Sequence, residues 1–217
     1  MAAEIALFDL GHVVLDWDPA RLYAKIIDTP QERETFLTDI CNMTWHTRHD
    51  AGASFADNAA DLIRQYPHYE SEILAWGRRW MEMFDGYMDG TAELIERLDA
   101  RQVPLYALSN MPAEPWQEML DEFEILRRFR HVVVSGQIGL IKPGAAIYHH
   151  TLEKMGHPAP ETVLFIDNSL PNVEAADALG FRTHHFKHAR GLEEALVKAC
   201  SDSKLRLPRP LHGIISD

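Results

Sequence analysis

Apolar residues along this chain follow two patterns that occupy different stretches. Continuous apolar runs at Ile5 to Phe8, Val103 to Leu108, Val132 to Val134 and Val163 to Ile166 read as short strands buried on both faces. Beside them, apolar residues recur at helical spacing, as in Leu94, Ile95, Leu98 and in Trp116, Met119, Leu120, Phe123. Short buried strands alternating with amphipathic helices predict an α/β fold, a parallel sheet with helices on both sides.

The alternation lapses once. After the first strand no strand pattern returns until Val103, and residues 16–88 carry helical periodicity alone: Leu22, Ile26, Ile27; Phe36, Leu37, Ile40; Leu62, Ile63; and Ile73, Leu74, Gly77, Trp80, Met81, Phe84. A strand-to-helix connection normally takes about two to six residues, so this stretch is expected to fold as its own helical unit. The predicted organisation is a core formed by 1–15 and 89–217, with a helical insert at 16–88. Helix starts are legible within the insert: Asp18 before Pro19, Thr29 with Pro30 and Glu32 as a capping box, and Ser54 with Asp57 as another. The tail from Ser201, with Pro208 and Pro210, reads as a loosely attached extension.

Composition narrows the setting. The 217 residues are 46% hydrophobic and 25% charged, which excludes disorder and leaves enough apolar chain for a sizeable core. With 33 acidic against 21 basic residues the net charge is −12, which opposes binding to nucleic acid or to an anionic membrane surface. Cys41 and Cys200 stand far apart and form no CxxC pair, so neither a disulfide framework nor a thiolate metal site is expected. The first apolar stretch contains Glu4 and Asp9 and lacks a basic leader, so a cytoplasmic protein without a membrane span is expected.

Candidate chemistry lies where the strands end, because an open parallel sheet binds ligands outside the carboxyl ends of its strands. The first strand ends at Asp9, the Val103 strand at Ser109 and Asn110, and the Val163 strand at Asp167 and Asn168, while Lys142 follows the Val132 strand. Together they supply a carboxylate nucleophile, a hydroxyl and amide pair, a cation, and a second carboxylate able to hold a metal ion. Those are the parts of a phosphoryl-transfer site. In it, Asp9 attacks phosphorus to form an aspartyl-phosphate that water then hydrolyses, Mg²⁺ lies between Asp9 and Asp167, and Lys142 and Ser109 bind the equatorial oxygens.

These residues also carry a resemblance. Phe8-Asp9-Leu10-Gly11-His12-Val13-Val14, Leu108-Ser109-Asn110, Lys142-Pro143 and Phe165-Ile166-Asp167-Asn168-Ser169 resemble, in order and spacing, the four motifs of the haloacid dehalogenase-like hydrolase superfamily. The resemblance implies a Rossmann-like core, places 16–88 as the helical cap of the first subfamily, and makes the substrate a small phosphorylated metabolite such as a sugar phosphate. It also implies Asp9 as nucleophile, Ser109 and Asn110 at the transferring group, Lys142 neutralising it, and Mg²⁺ held by Asp9, the Gly11 carbonyl, Asp167 and Asn168.

Two positions depart from that pattern. Gly11 stands where most family phosphatases carry a second Asp that acts as general acid and base; some members, similar to sugar-1-phosphate phosphatases, also read Asp-Leu-Gly. His12, next to it, is the candidate proton donor. Asn168 stands where an Asp metal ligand is usual, which removes one negative charge. Family dehalogenases, which use the carboxylate on carbon without a metal, are the nearest enzymatic rival, and a phosphate-binding protein without turnover is the rival of another class.

Other residues invite plainer readings. Trp17, Trp45, His46, Arg48 and His49 are candidates for reading the leaving group, although aromatics in a small helical unit most often form its core. His184 and His185 alternate across a strand, so these two with His188 are not expected to share an ion, and His149 and His150 point apart on a helix.

Overall fold

The computed structural model describes residues 4–199; Cys200 and the tail from Ser201 lie outside the described residues. Its main sheet contains β1 (Ile5–Phe8), β4 (Leu105–Ser109), β5 (His131–Val134), β6 (Val163–Asp167) and β7 (Arg182–His185) in the order β5-β4-β1-β6-β7, with every pairing parallel. The α/β expectation holds, and β1 lies at the centre with β4 and β6 on either side.

The continuous apolar runs have the expected cause, because each strand feeds two cores. Ala6 and Phe8 of β1, Leu105 and Ala107 of β4, and Ile166 of β6 belong to one buried cluster. Leu7, Leu108 and Phe165, the alternate positions, belong to another on the opposite face. The first face is covered by α6 (Thr91–Ala100), α7 (Trp116–Glu122) and α11 (Ala189–Ala199), through residues such as Leu94, Met119 and Leu192. The second is covered by α9 (Ala145–Lys154) and α10 (Leu170–Ala178), through Ile147, Tyr148 and Ala176.

The insert contains the expected helices, among them α1 (Pro19–Tyr23), α2 (Pro30–Thr35), α3 (Met43–Asp50), α4 (Phe55–Gln65) and α5 (Glu70–Arg78). Asp18, Thr29 and Ser54 accept hydrogen bonds from the backbone N–H groups of Ala20, Glu32 and Asp57, as capping requires. A third buried cluster, including Leu22, Tyr23, Phe36, Trp45, Trp76 and Met83, belongs to this stretch alone. None of the described helices is long and apolar enough to cross a membrane.

Purely helical content is corrected at both ends of the insert. Leu15–Trp17 (β2) and Phe84–Tyr87 (β3) pair as an antiparallel two-stranded ribbon, so the chain leaves the core and returns to it along neighbouring paths. The helical run at Ile73 stops at Arg78; Trp80–Met83 forms a 3₁₀ turn and Phe84 enters β3. A strand of four residues with a glycine, FDGY, gives no period-two signal to read.

Gly136, in the short helix α8 (Ser135–Ile138), lies where core and insert meet. A Cβ there would come within 2.6 Å of the Ala113 nitrogen, 2.8 Å of the Met111 oxygen and 3.0 Å of the His49 oxygen, all backbone atoms. Nearby, Ser135 Oγ accepts from Met111 N–H and donates to Met111 O. Gly136→Ala is expected to destabilise the protein by about 1–3 kcal/mol through overpacking, read as a lowered chemical unfolding midpoint; an unchanged midpoint would show that this junction yields freely.

Candidate active site

The sheet brings the strand-end residues together. The β1 backbone continues to Asp9, whose N–H donates to the Ile166 carbonyl at 2.8 Å, so Asp9 and Asp167 leave neighbouring strands at the same edge. Lys142 reaches them from the loop between α8 and α9, and Ser109 closes β4 on the other side of β1.

Lys142 Nζ lies 2.8 Å from Asp9 Oδ1, 2.7 Å from Asp167 Oδ2 and 2.9 Å from the Leu108 carbonyl oxygen. An ammonium has three donors, so all are engaged by the protein. Contact with phosphate oxygens would require one of these bonds to open.

Asn110, which lines the cleft, is held at both ends of its amide. Its Nδ2 donates to the Lys142 carbonyl at 3.0 Å and its Oδ1 accepts from the Lys142 N–H at 2.9 Å. Both ends of the amide thus hold the lysine loop against β4, with the Lys142–Pro143 peptide cis.

Asp9, Asp167 and Lys142 are all buried. Burial pushes the Asp9 carboxyl up to about 6, with Asp167 adding to the rise and Lys142 opposing it. Burial alone would discharge Lys142, yet the two carboxylates outweigh it and hold the ammonium above its ordinary value. Asp167 is held from the other side as well, because Oδ1 accepts from Ser169 N–H at 2.7 Å and the Asn172 amide donates to both oxygens at 3.2 and 3.1 Å.

A cleft of about 300 Å³ opens on this cluster, lined by Asp9, Gly11, His12, Ser109, Asn110, Lys142 and Asn168 among others. The loop beneath it is tight: the Leu10 carbonyl accepts from the N–H groups of Val14 and Leu15 at 2.8 and 2.9 Å, and His12 takes φ 57°. A Cβ on Gly11 would meet nothing within 4 Å, so the position of the usual second acid is open space. His12 is exposed at the mouth.

The leaving-group candidates divide. Trp17 and His46 line the cleft, their rings stacked at 5.3 Å between centroids. Trp45 and Arg48 are not brought to it: Trp45 is buried with its indole donating to the Asn58 carbonyl, and the exposed Arg48 donates to Asn58 Oδ1. His49 is buried beside Trp45, with ring centroids 4.8 Å apart. Sequence reasoning missed Asp50 and Asn172, which also line the cleft. Asp50 follows His46 by four residues on α3, and that i,i+4 spacing was the signal that both share one face.

In the His46–Asp50 contact, Nε2 lies 3.4 Å from Oδ1. Burial pushes His46 down to about 3 and Asp50 up to about 7, so both are driven toward their uncharged forms. Elsewhere, His185 Nε2 meets the Asn168 carbonyl at 3.0 Å, and His188 Nδ1 accepts from the Gly191 N–H.

Comparison with known proteins gives one consistent family. Residues 4–180 match the model of the haloacid dehalogenase-like hydrolases. The chain is 29% identical over 179 residues to the sesquiterpene phosphatase astK of Aspergillus oryzae, covering 82% of this chain and 86% of that one. It is 21% identical over 197 residues to a phosphorylated carbohydrates phosphatase of Thermotoga maritima, covering 90% and 91%. Among solved structures, a HAD family enzyme of Bacteroides thetaiotaomicron in complex with magnesium and inorganic phosphate shares the fold, with TM-score 0.65 and 24% identity over 86% of this chain and 96% of that one. The chain belongs to the haloacid dehalogenase-like hydrolase family.

Proposed function

We propose that this hydrolase is a Mg²⁺-dependent phosphatase acting on a small phosphomonoester, with Asp9 as its nucleophile. The observation that carries the reading is the buried cluster of Asp9, Asp167 and Lys142 at the floor of a cleft large enough for a small organic phosphate. Asp9 attacks phosphorus, the bond to the alcohol oxygen breaks, and water then cleaves the aspartyl-phosphate. Phosphatase relatives and the magnesium and phosphate bound to a neighbour of the same fold support it.

The residues present fit Mg²⁺. Two buried carboxylates face one ammonium, leaving one uncompensated negative charge, and desolvation already resists the ionisation of Asp9. The donors are oxygens, as a hard cation requires: Asp9, Asp167, the Gly11 carbonyl and Asn168 would hold it. Bound there, the ion supplies charge neutralisation for an anionic substrate. Among the described residues no group of three or more His, Cys, Asp and Glu forms an alternative metal site.

Residues 16–88 are read as a cap over the core that selects the leaving group. It gives the cleft an apolar wall of Trp17, Met43, Trp80 and Phe84 beside the polar His46, Thr47 and Asp50, and Lys142 is the one Lys or Arg among the described lining residues. A sugar would leave its hydroxyls poorly paired against such a wall, whereas an apolar alcohol would be desolvated by it. The substrate is therefore read as the monophosphate of a largely apolar alcohol rather than a sugar phosphate. The free, buried Cys41 accords with the cytoplasmic location expected above.

Purified protein is expected to hydrolyse p-nitrophenyl phosphate with Mg²⁺ and to stop when the metal is chelated. Asp9→Asn should lose roughly 10³-fold or more in turnover. Halide release from a 2-haloacid that survives chelation would instead identify a dehalogenase. In a substrate panel, kcat/KM for a terpenyl or arylalkyl monophosphate should exceed that for hexose phosphates by about tenfold or more, a difference of about 1.4 kcal/mol; the opposite order would refute the apolar-alcohol reading.

A further inference from the structure

With open space at Gly11, the loop after β1 carries no carboxyl placed to protonate the departing alcohol, and its other titratable group at the cleft, His12, is exposed at the mouth. An alkoxide leaves poorly without a proton, so the site needs an acid. The structure offers one carboxyl for this at the cleft wall other than the members of the Lys142 cluster. Asp50 is the last residue of α3, only 6% exposed, and lines the same cleft as Asp9. Its buried Oδ1 has no hydrogen-bond partner, since the 3.4 Å approach of His46 Nε2 lacks hydrogen-bond geometry.

Resting on the phosphatase reading above, we propose that Asp50 is the general acid and base of the reaction, supplied by the helical insert instead of the nucleophile's own loop. In the first step Asp9 forms its bond to phosphorus, the bond from phosphorus to the alcohol oxygen breaks, and the Asp50 carboxyl gives its proton to that oxygen. In the second, the Asp50 carboxylate takes a proton from the attacking water. The new P–O bond forms, the bond to Asp9 breaks, and phosphate leaves with Asp50 protonated again. Each turnover restores the starting protonation state.

The surroundings suit both halves of that cycle. Burial pushes the Asp50 carboxyl up to about 7, Lys142 opposing and Asp9 adding. The position at the carboxyl end of α3 acts in the same direction, because the helix dipole disfavours a negative charge there. His46 cannot act as the acid, since its ring is buried against those of Trp17 and Trp80 and burial holds it neutral.

Comparing two esters separates catalysis from structure. For the wild type, kcat/KM for an alkyl phosphate, a poor leaving group, should fall as pH rises through about 7, the point at which Asp50 loses its proton. Asp50→Asn should lower that constant by roughly 10²–10⁴-fold and abolish the alkaline limb. In kcat/KM, which reports only the steps through departure of the leaving group, the same variant should lose less than about tenfold with p-nitrophenyl phosphate, whose leaving group needs no proton. Its kcat for that ester should fall, because the second step has lost its base. Asp50→Glu should restore part of the alkyl-ester activity.

Folding should not obscure the result. A carboxyl whose value is raised on folding binds more protons folded than unfolded, so it costs stability progressively as pH rises from about 4 to about 7 and in full above that. Asp50→Asn should therefore melt at or above the wild-type temperature at pH 8. Equal losses of kcat/KM on both esters with a lowered melting temperature would overturn the proposal, as would undiminished alkyl-ester hydrolysis in Asp50→Asn, or its loss in His12→Gln, which keeps Asp50. A wild type that hydrolyses neither ester would instead defeat the phosphatase reading itself.

Discussion

One ammonium shared between two carboxylates sets the arrangement of this site. Lys142 meets Asp9 at the end of β1, Asp167 at the end of β6 and the Leu108 carbonyl within β4, and so links three adjacent strands at one edge. Removing the lysine would leave two buried carboxylates without a counter-charge, which is far more costly than the pairing is stabilising. The lysine is correspondingly well held, with Asn110 gripping both polar groups of its backbone. What remains is a single excess negative charge, which suits a cation and, with one bound, an anionic substrate.

The insert completes what the sheet begins. Strand ends supply charge and hydrogen bonds, while Trp17, Met43, Trp80 and Phe84 supply apolar surface to the cleft. Where the charges are buried they act over a lower dielectric, and burial likewise drives Asp50 and His46 toward neutrality. The fit of insert to core depends on backbones approaching closely at Gly136, where even a methyl group has no room.

Most of the core was legible because its signals are local. The continuous apolar runs become β1, β4, β5 and β6, and polar residues that end such runs must lie at the sheet's carboxyl edge. Capping at Asp18, Thr29 and Ser54 was readable for the same reason. The β2–β3 ribbon was hidden because its strands are short, sixty-odd residues apart and stabilised by pairing that no local pattern records. On α3 the error was one of facing: Trp45 and His49 lie on one side with Asn58, while His46 and Asp50 lie on the other, toward the cleft. Residue types drew attention to Trp45 and Arg48, whereas spacing alone would have paired His46 with Asp50. The engagement of all three Lys142 donors depends on how distant segments meet, which is a property of the assembled sheet.

The central claim, that this buried lysine holds Asp9 ready to attack phosphorus, is tested most directly by trapping the covalent intermediate. The enzyme is mixed with a phosphorus-labelled aryl phosphate, quenched in acid and digested, and the labelled peptide is sequenced. Label is expected as a hydroxylamine-sensitive acyl phosphate on Asp9, and absent in Lys142→Met. Label on any other residue, or an undiminished Asp9 adduct without the lysine, would contradict it.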